Sequence, residues 1–167
     1  YLANTSSVKV GITRETQLPT RWIDQGATQA KPIARVQTRY FSGLLEVLLA
    51  KEVGDRTAWQ TMLKGNGADQ DLEHIRQQLM NSCAQGIADL QLQHGEAAFE
   101  LLEDAPETRI SYPVQSWPEK VKAHNFDKQA VVEGTLMGIK GQYLMLDTGV
   151  LNMRKFGGYE VEIEVAA

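Results

Sequence analysis

Tyr1, Lys9, Gly11, Arg14, Arg21 and Glu46 are residues of this chain whose types could serve chemistry on a phosphodiester. Cleaving such a bond needs an oxygen nucleophile, positive charge against the developing phosphorane, and usually a metal to neutralise the leaving oxygen. Arg21 offers a planar fork of donors to phosphate. Glu46 offers the carboxylate oxygen that magnesium prefers while keeping most of its waters. Tyr1 is placed to orient or deprotonate an attacking water, and Gly11 lets backbone pass close to a substrate. Lys9 and Arg14 are candidate phosphate contacts. As a general base, Lys9 would need a pKa strongly depressed by burial.

Each residue also has a quieter role open to it. A single arginine on an exposed helix is usually solvated or in a surface ion pair. Glu46 interrupts Leu44-Leu45 and Val47-Leu48-Leu49, and an amphipathic helix must turn some polar residue outward. Tyr1 would serve equally as core packing in a hairpin. A reading of these residues as one site therefore requires Tyr1, Arg21 and Glu46 to converge on a single concave surface.

The elements that would position them follow from local patterning. Tyr1–Ala3 and Val8–Ile12, separated by Asn4-Thr5-Ser6-Ser7, predict a hairpin. Pro19 suits a first helical residue, and the helix over Arg21–Gln25 stops at Gly26. Ile33–Tyr40 is rich in β-formers and predicts a third strand. Ser42 is expected to cap a helix over Gly43–Val53, ended by Gly54. A short helix follows over Thr57–Leu63, broken by Gly65-Asn66-Gly67.

Further on, Leu72, Ile75, Leu79, Cys83, Ile87 and Leu90 recur at helical spacing from an Asp69 or Asp71 cap and predict one amphipathic helix. Ala97–Leu102 predicts a shorter one. Beyond Pro113, four β-rich runs (Val131–Ile139, Gln142–Asp147, Val150–Arg154 and Tyr159–Val165) predict an antiparallel meander or partial barrel. Its core is expected from Val131, Leu136, Ile139, Leu144, Leu146, Val150, Leu151 and Ile163. Gly141 and Gly149 should resist replacement wherever they adopt positive φ. Lys140, Tyr143, Arg154, Lys155 and Phe156 mix basic and aromatic groups there, as nucleic-acid-binding barrels do. Glu160, Glu162 and Glu164 alternate with Val161, Ile163 and Val165 and predict a solvent face.

Composition sets the outer bounds. The chain has 167 residues, 43% hydrophobic and 23% charged, as in globular proteins. No apolar run reaches membrane-spanning length, so no membrane role is expected. The lone Cys83 cannot form an internal disulfide, which suits a cytoplasmic location. Residues 1–65 carry nine Lys and Arg against five acids, whereas the remainder is acidic, an asymmetry that points to an anion-facing half. The chain opens at Tyr1 inside a predicted strand, so an upstream segment is expected. His74, His94 and His124 show no ligand spacing, and neither a P-loop nor a nucleophile elbow is present.

Tyr1, the Lys9-Val10-Gly11 triplet, Arg21 and Glu46, on strand, strand, helix and helix in that order, resemble the core of a GIY-YIG nuclease domain over residues 1–64. The resemblance implies catalytic roles for Tyr1, Arg21 and Glu46, with Glu46 holding one Mg2+ and DNA or RNA as substrate. Lys9 stands where the family's second tyrosine would be, as in K-I-G variants. Nearly the whole chain, including Gly138-Ile139-Lys140-Gly141 and Asn152-Met153-Arg154-Lys155, also resembles a bacterial family of uncharacterised proteins. That resemblance implies a cysteine-rich, zinc-binding segment upstream of Tyr1, so zinc belongs to that segment and to no site in this chain.

The sequence thus predicts an α+β protein: a GIY-YIG-like sheet with helices over 1–65, a helical connector over 66–109 and a β-rich part over 110–167. The expected function is metal-dependent phosphodiester cleavage of nucleic acid. The alternatives are a non-catalytic nucleic-acid-binding module on a decayed nuclease scaffold, and a structural interaction protein. Oligomeric state is not legible.

Overall fold

A computed structural model describes residues 1–53 and 57–165. The chain is α+β, ending in a three-stranded antiparallel meander. The first sheet is the frame for the candidate site. Strands β1 (Leu2–Asn4) and β2 (Val8–Val10) form the expected hairpin, with Leu2 opposite Val10 and Asn4 opposite Val8. After the short helix α1 (Thr20–Asp24), β3 (Gln29–Lys31) pairs with the other side of β1. A late strand, β6 (Thr108–Arg109), extends the sheet to the order β2-β1-β3-β6.

Alternation along these strands separates two apolar layers. Leu2 and Val10 enter a core with Leu45, Leu49, Leu72, Leu79, Ile87 and Phe99. Ala3 and Ala30 face the opposite way, onto Trp22 and Ala27. The sheet therefore lies between α1 on one side and the longer helices on the other.

The strand expected over Ile33–Tyr40 is present in shorter form over Ala34–Val36, and the first sheet takes an additional, unexpected strand before it. Pro32 separates two short strands, β3 and β4 (Ala34–Val36), and β4 pairs with β5 (Phe99–Leu101) in a sheet of its own. Phe99–Leu101 lies inside the predicted helix over Ala97–Leu102. A run that short gains little as a helix, and the Val36–Phe99 register supplies ladder hydrogen bonds instead. Thr38, and not Ser42, caps α2 (Arg39–Leu49): its Oγ1 accepts from the Phe41 N–H at 3.2 Å. The Gly54 stop expected for this helix lies outside the described residues, and α2 itself ends at Leu49.

Helix α3 (Trp59–Met62) is a single turn within the predicted span. The long helix expected from Leu72 to Leu90 is broken at Cys83 into α4 (Leu72–Ser82) and α5 (Ala84–His94). Both pieces still bury the predicted apolar positions in the main core. Asp71 provides the cap, its Oδ1 accepting from the His74 N–H at 2.9 Å. A Cβ at Gly86 of α5 would lie 2.7 Å from a Leu48 methyl of α2, which would have to shift to admit it.

The meander comprises β7 (Leu136–Lys140), β8 (Tyr143–Leu146) and β9 (Gly149–Asn152). Two expectations are corrected here. Residues 159–165 form no strand, because both outer edges of the meander are already occupied. Pro113 and Met137 exchange backbone bonds with Ile139 and Gln115 along β7, and Lys122 and His124 bond to Val150 along β9. On β8 the buried face is shifted by one residue from the expected one, with Tyr143 and Met145 inside in place of Leu144 and Leu146, whereas Val150 and Leu151 of β9 are buried as expected. Tyr143, Met145 and Val150 pack with Met62 and Leu63 of the α3 segment. Val131 and Ile163, expected in the core, are 69% and 76% exposed. A period of two turns a one-residue shift into an exchange of faces.

Candidate functional site

The end of the first sheet where β1 begins and β2 ends opens into a groove of about 700 Å³. Tyr1, Gly11 and Arg14 line one side, while Glu46 projects from α2 on the other, beside Arg39 and Ser42. Helical spacing explains Glu46: Leu45 and Leu49 are buried in the core, and the half-buried Glu46 is carried to its edge. Among the described residues, Glu46 has no ion pair or side-chain hydrogen bond, and the same holds for Arg14 and Arg39. Arg35, also on the rim, is committed to Glu15 at 2.9 Å and Glu100 at 3.4 Å.

Tyr1 is held from two directions. Its backbone N–H donates to Gly11 O at 2.9 Å, extending the β1–β2 ladder. Its ring abuts Gly11 so closely that a Cβ there would fall 2.7 Å from Cζ. Gly11 therefore serves the tyrosine ring directly. The Gln25 amide N–H donates to the Tyr1 hydroxyl oxygen, which leaves the phenolic proton available to donate. Trp22 packs edge-on to the ring, centroids 6.0 Å apart.

The other two expected site residues stand elsewhere. Arg21 lines a separate hollow of about 300 Å³ with Asp24, Thr57, Trp59, Tyr143 and Arg154. The link between hollow and groove is Gln25, one helical turn after Arg21, which lines the hollow and bonds to Tyr1. Lys9 is buried, and its Nζ donates to Thr57 Oγ1 at 2.7 Å. The structure thus gathers Tyr1, Gly11, Arg14 and Glu46 in the groove, with Arg21 and Lys9 outside it, so Tyr1, Arg21 and Glu46 do not converge on one concave surface.

Sequence reasoning missed Gln25, Arg39 and Trp59. The Arg21–Gln25 spacing of four on a helix was a usable signal. Arg39 becomes visible only once Thr38 is recognised as the cap, and nothing in the sequence marks Trp59.

The groove's donor set bears on which cation it could hold. Among the described residues no three His, Cys, Asp or Glu side chains cluster. A single partnerless carboxylate suits magnesium, which takes few protein ligands and completes its shell with water and substrate oxygens.

The basic and aromatic residues of the C-terminal part separate in the same way. Lys140 is wholly buried, its Nζ donating to Gly65 O at 2.8 Å between the rings of Tyr112 and Trp117. Burial brings its pKa down to about 8. Lys155 lies over Phe156 and 3.7 Å from Asp127. Only Arg154 and Tyr143 reach the Arg21 hollow.

Among the described residues no helix is long and apolar enough to cross a membrane. No curated protein and no solved structure matches the chain. A family model described as "Protein of unknown function (DUF2797)" matches residues 1–161, nearly the full length, and the chain belongs to that family.

Proposed function

We propose that the chain binds nucleic acid along the groove and that Tyr1 and Glu46 serve metal-assisted cleavage of its phosphodiester bonds. The observation that carries this reading is the partnerless Glu46 carboxylate sharing one groove with Tyr1, under a rim bearing Arg14 and Arg39. Folding gains nothing from a half-buried carboxylate without a partner, whereas a cation site requires one. Glu46 would hold Mg2+, which supplies charge neutralisation at the reacting phosphate. Arg14 and Arg39 would hold flanking phosphates, and Tyr1 would donate its phenolic proton to a water or phosphate oxygen. This placement fits the resemblance to GIY-YIG domains at Tyr1, Gly11 and Glu46.

A second reading, a binding module without catalysis, is favoured by the positions of Arg21 and Lys9. Two cations expected at the reacting phosphate lie outside the Glu46 groove.

Cleavage of single- and double-stranded DNA and RNA with Mg2+ or with chelator separates the two. Glu46→Gln keeps size and polarity while removing the anion, so cleavage should fall by orders of magnitude with binding and melting temperature retained. Binding without cleavage in the parent protein selects the second reading. Loss of stability in the mutant would reassign Glu46 to a structural contact and end the catalytic proposal.

A further inference from the structure

The smaller hollow has features that folding alone does not require. Arg21 from α1 and Arg154 from the turn after β9 meet there, 133 positions apart in sequence. Among the described residues neither makes an ion pair or side-chain hydrogen bond. Asp24 shares the hollow and leaves it with one net positive charge. Beside the arginines, Trp59 stacks on Tyr143 with centroids 5.6 Å apart and planes within 3° of parallel. Tyr143 is buried beneath, and Trp59 is half-buried.

We infer that this hollow is a nucleotide subsite, taking a phosphate between the Arg21 and Arg154 guanidinium groups and a base against Trp59. Two planar forks suit the oxygens of one phosphate better than two point charges would. Stacking tolerates any base, so recognition would be of an unpaired nucleotide without strong sequence preference. Duplex bases present only edges, and the ring platform would be of no use to them. The volume is at the lower end of that for small-molecule sites. The inference rests on the nucleic-acid reading above and narrows the ligand to a single strand or a free nucleotide.

The test uses the intact protein with a short oligothymidylate and with thymidine 5′-monophosphate, read by tryptophan quenching and by competition. The oligonucleotide should quench emission, and Trp59→Phe should remove that quench. Arg154→Ala should weaken binding by about tenfold, the scale of one lost stack or charged contact, and Arg154→Glu should weaken it further. Arg154 is exposed, so unchanged melting of both variants excludes misfolding as the cause. Quenching by both ligands identifies a free-nucleotide site, and quenching by the oligonucleotide alone identifies a strand subsite. Oligonucleotide binding untouched by either Arg154 variant overturns the inference, while the groove reading stands if Arg14→Ala still weakens binding. Binding lost with Arg154→Ala but untouched by Arg14→Ala and Arg39→Ala keeps the hollow and overturns the groove. If neither ligand binds the parent protein, both fall.

Discussion

Lys140 illustrates how far a residue's role can lie from its type. In sequence it belongs to a basic and aromatic patch suited to nucleic acid, yet its ammonium is sealed between two rings and the Gly65 carbonyl. Charge without water is costly, which is why burial draws its pKa from 10.5 down to about 8. Between those values the unfolded chain holds a proton that the folded chain has released. Raising the pH there therefore favours the folded state, by up to about 1.4 kcal/mol per pH unit from this group. Urea melts from pH 8 to 10 should show that rise, and Lys140→Met should flatten it. The window stops near pH 10 because Tyr112, pushed upward by burial and then by Asp24, contributes with opposite sign above it. Glu46 differs in burial: helical spacing beside the buried Leu45 and Leu49 leaves it half-buried at the edge of the core.

At the scale of elements, Gly149 defines the β8–β9 turn more strictly than its sequence context suggests. Its φ is 153°, and a Cβ would fall 2.6 Å from Lys122 O and 2.7 Å from His124 Nε2. Gly149→Ala should destabilise by roughly 2–3 kcal/mol in a denaturant melt. Gly141, at φ 59° with a nearest contact of 3.0 Å, should cost nearer 1 kcal/mol. Capping by Thr38 makes a companion case: Thr38→Ala should lose about 1 kcal/mol, and Ser42→Ala far less, because the Ser42 hydroxyl bonds to Arg39 O within its own helix. These cases show what the sequence carried. The hairpin, the Asp71 cap, the apolar stripe of α4 and α5 and the existence of the meander were legible, because period and punctuation are local. The β4–β5 pairing, the buried face of β8 and the lack of a fourth strand were not. Each is decided by a neighbour distant in sequence: Phe99 for Val36, Met62 for Tyr143, and the Lys122 and Pro113 backbones for the meander's edges. The candidate site divides likewise. Tyr1, Gly11 and Glu46 meet because short elements bring them together, whereas Arg21 was drawn into a hollow completed by Arg154.

Over the whole molecule, Arg14, Arg21 and Arg39 of the groove and hollow come from the basic first 65 residues, and Arg154 comes from the acidic remainder. If these face phosphates, the logarithm of the binding constant should fall linearly with that of salt concentration, and each arginine replaced by alanine should reduce the slope by about 1. Salt-independent binding would return the chain to the interaction-protein reading. Polar side chains fasten the distant parts into this arrangement. Asn4 and Gln29 of the sheet hold the backbone at Ala68 and Gln70, and Lys31 of β3 meets Glu73 of α4 at 3.1 Å. The packing of Met62 and Leu63 beneath Tyr143 and Met145 has a consequence for biosynthesis. The covering residues leave the ribosome about 80 positions later, which at about 5–20 residues per second is roughly 4–16 s. Throughout that interval the nascent chain presents Trp59, Met62 and Leu63 uncovered. The growing polypeptide should therefore engage chaperones until the meander is made, and a nonsense mutation before Tyr143 should yield an insoluble product even though every residue of the groove has been translated.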